Sequence, residues 1–402
     1  MVTLEDLLQA YFVCRKSKRR TASAAVYEMD YERRLIALRD RINSRTYAPG
    51  KSICFVVTRP RYREVFAAHF EDRIVHTYMA LKLEPLFEQI FSPRTFNCRV
   101  GKGQLYGINT LANDIRECSE NYTADCYILK LDLSGFFMSI PKHMLAVMVD
   151  KFIVENYQGE DIGELRNISE LTIMHSPELN CERHSPLSFW DRLPANKSLF
   201  TNGEGLGMPI GNLPSQILAN YLLNDLDWYL EELGLKYHGR YVDDFYCIHK
   251  DKQLLLSAMP KIRAKLAQYG LKLNQKKFYI QHYSKGVEFT GAVVKPGRIY
   301  SCNRNIANFR RAVKHLNEAS DIVELQAAVD SVNSYIGVLR HQNEYHNRRK
   351  IISLITPEKL RYLRIKGDYK CVSIKREYRQ RAETLKRIRD GTYWEDCTFG
   401  CN

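Results

Sequence analysis

The 402-residue sequence has no Cys-x-x-Cys pair, no internal repeat and no low-complexity tract. Its eleven cysteines stand as single residues, and even the neighbouring Cys397 and Cys401 have no further ligands beside them. That excludes a disulfide framework and a structural zinc site, and it points to a reducing compartment. No apolar run approaches the length of a membrane span. The opening Met-Val-Thr-Leu-Glu-Asp lacks the basic-then-apolar start of a signal peptide. The expectation is a soluble, cytoplasmic protein with no membrane partner. A hydrophobic content of 45% and 25 tyrosines exclude wholesale disorder, and the length suits two or three domains or one large multi-lobed unit.

What the chain has in excess is positive charge. The formal net charge is +14, with a pI near 9.2, which attracts polyanions, chiefly nucleic acid or an anionic membrane surface. The excess is concentrated: residues 340–390 hold 16 Lys/Arg against 6 Asp/Glu. Tyr345, Tyr362, Tyr369 and Tyr378 are interleaved there, a pattern that suits phosphate contacts plus stacking on bases. Arg340, Arg348, Arg349, Lys350, Arg361 and Arg364 are the candidate nucleic-acid contacts.

Residues 3–43 show helical spacing in Leu4, Leu7, Leu8, Tyr11 and Phe12, interrupted by a basic run from Arg15 to Arg20. Residues 51–66 read as a hairpin turning near Pro60 and carrying Arg59, Arg61 and Arg63. Helices are expected at about 69–89 and 104–119, and a strand ending in an acid at 126–133. The pattern weakens over about 155–203, read as an insertion with a short helix of its own. A glycine-rich loop from Gly205 to Gly211 precedes a strong helix that starts at Pro214-Ser215-Gln216 and ends at Gly234. A helix at 253–269, a strand at 277–283 and a hairpin turning at Pro296-Gly297 follow. From about 303 onward the chain reads as all-helical.

The chemistry starts at Tyr241-Val242-Asp243-Asp244, two adjacent acids at the turn between apolar runs. A tight turn breaks the alternation of a strand, so both carboxylates can gather near one point. Clustered acids repel and call for a cation. Asp132, at the end of the earlier strand, is a third acid. Three carboxylates can hold two Mg²⁺ ions about 3.5–4 Å apart, the arrangement for in-line phosphoryl transfer. Mn²⁺ is the natural substitute ion.

Five segments, in this order, resemble the motifs of bacterial reverse transcriptases of the non-LTR, group II intron-like kind. They are residues 131–140 (LDLSGFFMSI), 207–216 (GMPIGNLPSQ), 241–244 (YVDD), 270–277 (GLKLNQKK) and 286–291 (GVEFTG). Residues 334–341 (SYIGVLRH) resemble the start of a thumb helix. The resemblance implies an α+β right-hand polymerase fold, with an N-terminal helical extension (1–50), fingers (51–125), a palm of antiparallel sheet plus helices (126–300), a helical thumb (301–355) and a basic C-terminal tail (356–402). It implies an RNA-directed DNA polymerase with Asp132, Asp243, Asp244 and the Leu133 carbonyl as metal ligands. Phe137, after Phe136, stands where the family places a steric gate against ribose. Arg63 falls where the triphosphate is gripped, with Arg61 or Lys51 as helpers. Lys276 is implied as a proton donor to pyrophosphate, and Gly211 as a point of close backbone approach to the nascent base pair.

Ile210 and Gln216 depart from the usual Gln-Gly-x-x-x-Ser-Pro form of the glycine-loop motif. The variant resembles diversity-generating retroelement enzymes and unclassified, defence-associated bacterial groups. The implied partners are dNTPs, an RNA template, expected to be a dedicated structured non-coding RNA, and its cDNA, with a homo-oligomeric copy or an accessory or effector protein as a further partner class. The main expectation is a reverse transcriptase of prokaryotic antiviral defence. The alternatives are a diversity-generating enzyme working with an accessory protein and, from another class, an inactive RNA-binding protein on a polymerase fold.

Overall fold

The computed structural model describes residues 1–16, 21–58 and 61–389. Arg59 and Pro60, residues 17–20 of the N-terminal basic run, and Cys397 and Cys401 with the rest of 390–402 lie outside the described residues. The chain divides into two compact units: Met1–Gly107 with Tyr127–Ile280, and Ile108–Cys126 with the chain from Gln281 onward.

The first unit begins with α1 (Leu4–Arg15), α2 (Ala22–Glu28) and α3 (Tyr31–Asn43). Thr3 and Asp6 form a reciprocal capping box that starts α1. Next come β1 (Ser52–Val57), β2 (Arg63–Ala67) and α4 (Phe70–Ile90), after which α5 (Gln104–Cys118) leads into the second unit. The chain returns through β3 (Tyr127–Asp132), α6 (Phe136–Ser139), α7 (Lys142–Asn156), α8 (Ile162–Met174) and the short β4 (Cys181–Arg183). It continues through α9 (Leu213–Glu232), β5 (Tyr237–Tyr241), β6 (Asp244–His249), α10 (Lys252–Gln268) and β7 (Tyr279–His282). Pro214 in the first turn of α9 and Gly234 just past its end, at φ 81°, are the start and stop signals read from the sequence.

Two sheets organise this unit. One has the order β5-β6-β3-β7, the other β2-β1-β4. Leu129, Leu131, Phe245 and Cys247, on the central strands of the first sheet, share one buried core with Leu83 and Phe87 of α4, Leu145 of α7 and Leu218 and Leu222 of α9. In the second sheet β4 pairs parallel to β1. The segment around 155–203 therefore contributes both a helix, α8, and a sheet strand.

The second unit contains a meander of β8 (Val287–Phe289), β9 (Ala292–Lys295) and β10 (Arg298–Ser301). Then follow α11 (Asn303–Glu318), α12 (Ile322–Leu339), α13 (Tyr345–Ile352), α14 (Pro357–Leu360), β11 (Leu363–Lys366), β12 (Cys371–Ile374) and α15 (Arg376–Arg389). The expectation of helix alone past 303 fails at β11 and β12, which pair antiparallel. Leu363, Val372 and Ile374 alternate with more exposed neighbours and point into the same core as Phe309, Val332 and Ile351. That period of two, in strands of only four residues, is masked in the sequence by the basic residues between them. Among the described residues no helix is long and apolar enough to cross a membrane.

Candidate active site

The antiparallel register of β3 and β6 sets Asp132 directly opposite Asp244. Tyr241 also pairs with Asp244, so β5 and β6 are joined by a two-residue turn at Val242-Asp243. Val242 has φ 60°, a left-handed conformation that is strained for a β-branched residue. A positive φ at the first central position is the pattern of a type II′ hairpin turn, where glycine is usual. Such a residue costs on the order of 1–3 kcal/mol and persists only where its surroundings hold it.

Those surroundings are a buried polar network that the sequence did not announce. Arg240, 1% exposed, makes a bidentate pair with Asp227, 0% exposed, through Nε (2.8 Å) and Nη2 (2.6 Å). Its Nη1 donates to the Val242 carbonyl at 3.1 Å, and Asn97 accepts from the Val242 amide at 2.8 Å. Thr95 donates to Asp227 at 2.6 Å. Both polar backbone groups of the strained residue are thus tied to a rigid base.

The three acids have different neighbours. Asp132 is paired with the Lys277 ammonium at 2.6 Å and accepts from the Asn274 amide at 3.1 Å. Asp244 is paired with the buried Lys130 ammonium. Asp243 faces Asp132: burial raises its pKa first, the negative charge of Asp132 raises it further, and Lys277 and Arg63 pull it down. In this metal-free arrangement Lys277 and Lys130 each hold one carboxylate, Asp132 and Asp244 respectively, and no three His, Cys, Asp or Glu side chains among the described residues stand close enough to share an ion. The chemistry of the donors still fits a hard cation: they are oxygens only, and Asp243 beside Asp132 is a like-charge pair that a cation relieves.

The remaining candidates divide. Arg63, at the exposed start of β2, lies close enough to Asp243 to lower its pKa. Arg61 is exposed. Lys51 is drawn to Glu182 of β4, 3.6 Å away. Phe136 is buried, whereas Phe137 is half-buried against the first unit's core and its carbonyl accepts from the Met208 amide. The Leu133 amide donates to the Asp243 carbonyl at 3.1 Å.

Ile210 packs with Cys54, Phe66, Met138 and Leu199, and its carbonyl accepts from the Phe66 amide at 2.8 Å. Gly211 has φ 117°, and a Cβ there would meet the Phe66 carbonyl oxygen at 2.5 Å. The close approach at Gly211 is therefore to β2. Gln216 is exposed and accepts from the Cys98 thiol. Lys276 is exposed in a turn, and its neighbour Lys277 is the lysine on Asp132. Adjacent lysines in a turn give spacing no basis for choosing between them. Lys130 could have been found: two residues before Asp132 on the same strand, it shares that acid's face.

In the second unit, Arg340, Arg349, Lys350, Arg361 and Arg364 are exposed. Arg348 is not. It is 6% exposed, with Nη1 donating to the Tyr369 carbonyl at 3.4 Å, so its reading as a nucleic-acid contact is corrected. Its place on α13 between the buried Glu344 and Ile351 turns it inward. Tyr362, Tyr369 and Tyr378 pack against the unit's core, and Tyr345 donates to Asp368 at 3.1 Å. Each of these rings is partly buried and takes part in the packing or hydrogen bonding of the unit.

Comparison with known proteins gives a concordant result. The family model for reverse transcriptase (RNA-dependent DNA polymerase) matches residues 58–294, more than half of the chain. Protein YkfC of Escherichia coli strain K12 is 23% identical over 293 residues, covering 63% of this chain and 69% of that protein. Two solved structures of apo telomerase from Candida tropicalis are also similar. The one truncated from its C-terminal domain has a TM-score of 0.45 at 15% identity and covers 65% of this chain. The other has a TM-score of 0.46 at 13% identity and covers 76%. The chain spans 59% and 61% of those telomerase chains, respectively. From the family match, the chain belongs to the reverse transcriptases, and it is an RNA-directed DNA polymerase.

Proposed function

We propose that this polymerase extends a primer along a dedicated structured RNA by two-Mg²⁺ nucleotidyl transfer from dNTPs, in a prokaryotic defence setting. The observation that carries the reading is the placement of Asp132 opposite Asp244, with Asp243 at the turn beside Asp132 and Arg63 within electrostatic reach. Asp132, Asp243, Asp244 and the Leu133 carbonyl would hold the ions, which when bound activate the attacking hydroxyl and neutralise the leaving pyrophosphate. Arg63 grips the triphosphate, its planar fork matching phosphate oxygens. Lys277 takes the role first read for Lys276, since its ammonium already sits on Asp132. It is placed to release that carboxylate and donate a proton to pyrophosphate. Phe137 shapes the sugar pocket against a 2′-hydroxyl. The exposed Arg340, Arg349, Lys350, Arg361 and Arg364 supply sequence-independent phosphate contacts. The defence setting rests on the Ile210 and Gln216 variant of the glycine-loop motif.

The test is synthesis itself. Purified protein with Mg²⁺, primed RNA and dNTPs is expected to make DNA, and Asp243→Ala with Asp244→Ala to abolish it. A wild-type protein inactive on every template, including RNA that co-purifies with it, refutes the reading. Sequencing the co-purified RNA and its cDNA decides the setting. A template drawn from a variable repeat would replace defence with diversity generation.

A further inference from the structure

The segment between α8 and α9 does more than add a strand to the β2-β1-β4 sheet. β4 follows one edge of β1, held by the Ser52 amide on the Asn180 carbonyl (3.1 Å) and the His184 amide on the Cys54 carbonyl (2.8 Å). Ser185 then accepts from the Val56 amide at 3.0 Å. Beyond it the chain crosses the inward face of the hairpin to reach Glu64 on β2.

Glu64 is 1% exposed, and three donors from this one segment converge on its carboxylate. Trp190 Nε1 and Ser198 Oγ donate to Oε2, and the Leu199 amide donates to Oε1, each at 2.7 Å. A carboxylate that accepts several hydrogen bonds is fixed in direction. Its neighbour Arg63 points to the opposite face of the strand, as adjacent residues do.

We propose that residues 180–199 act as a strap that holds the β1–β2 hairpin in place, and that Glu64 is a positioning residue which sets the direction of Arg63 toward the nucleotide. This rests on the reading of Arg63 as the triphosphate grip. The strap leaves little play on either side: β4 covers the free edge of β1, and Ile210 and Gly211 cover the outer edge of β2. Nucleotide binding then meets a hairpin already in its working position, which lowers the ordering cost of binding.

The experiment compares wild type, Arg63→Ala, Glu64→Gln and the double variant on primed RNA, with dNTP concentration varied. Glu64→Gln turns an amide donor toward groups that are themselves donors. It is expected to raise the KM for dNTP roughly tenfold, about 1.4 kcal/mol, with kcat within about twofold. Because Glu64 acts through Arg63, the double variant is expected to match Arg63→Ala alone. Additive effects in the double variant, or a fall in kcat with KM unchanged, overturn the positioning role. If Arg63→Ala raises KM while Glu64→Gln behaves as wild type, the strap proposal fails and the triphosphate reading stands. If Arg63→Ala leaves KM unchanged, the triphosphate reading fails and takes the positioning role with it. Should Glu64→Gln not fold, Trp190→Phe removes one donor only. It is expected to shift KM in the same direction and to speed hydrogen exchange at the 63–67 amides; unchanged KM or exchange overturns the strap.

Discussion

Two hairpins carry the charged residues of this site, and they are secured in different currencies. The β5–β6 hairpin presents Asp243 and rests on Arg240, whose partner Asp227 is a full opposite charge in a fully buried place. The β1–β2 hairpin presents Arg63 and rests on Glu64, whose partners are neutral donors from a separate stretch of chain. The first arrangement supports a strained residue, Val242, and tolerates no loss of its partner. The second spreads the task over several modest hydrogen bonds and two covered strand edges. The hairpin that bears the acids is accordingly rigid at a point, and the hairpin that bears Arg63 is rigid along a seam.

Removing one charge should expose that contrast most strongly. Asp227→Asn leaves the Arg240 guanidinium buried without its counter-charge, a loss of about 3–5 kcal/mol. The urea midpoint should fall accordingly, and polymerisation should be lost because the carbonyl of Val242 depends on the same guanidinium. A loss below about 1 kcal/mol would mean that the hairpin tip is held by Asn97 and the turn itself, and the contrast drawn above would collapse.

The seam is tested next, at Gly211. Its φ of 117° is one that side chains rarely adopt, and a Cβ would press on the Phe66 carbonyl at 2.5 Å. Gly211→Ala should therefore cost about 1–3 kcal/mol for the backbone conformation alone, with a further share from the collision. Denaturation should show a smaller shift than for Asp227→Asn, and the KM for dNTP should rise because the edge of β2 is displaced. An effect on kcat alone would place the glycine's role at the catalytic acids instead.

The acids and the elements that bear them were legible because they are local. Asp132 closes an apolar strand, Asp243 and Asp244 sit at a two-residue turn, and α9 begins at a proline and ends at a glycine. What escaped was set by register and by distance along the chain. Lys130 could be placed on the face of Asp132 from its spacing, but its pairing with Asp244 runs on a diagonal that exists only once β3 and β6 are paired. β4 is three residues long and pairs with a strand from far earlier in the chain, so no periodicity betrays it. Composition cannot tell which basic residue of a helix turns inward, and Arg348 does so.

The smallest expected effect has the opposite sign. Asp243 is an acid whose pKa is raised in the folded chain, by burial and then by Asp132. The folded state therefore binds that proton more readily than the unfolded one, and stability declines as pH climbs from the ordinary carboxylate range through the raised value. Asp243→Asn removes the charge and should stabilise the divalent-free protein at neutral pH by a degree or two in melting temperature, on the order of a few tenths of a kcal/mol, while abolishing synthesis. The gain should shrink toward acid pH, where the wild-type carboxyl is protonated, and reverse when Mg²⁺ is added, because only the wild type gains from the ion. Equal melting temperatures across pH would show that Lys277 and Arg63 already neutralise the acid in full. The hairpin that bears the acids would then be no more strained electrostatically than the one that bears Arg63, and its only stored cost would be the backbone of Val242.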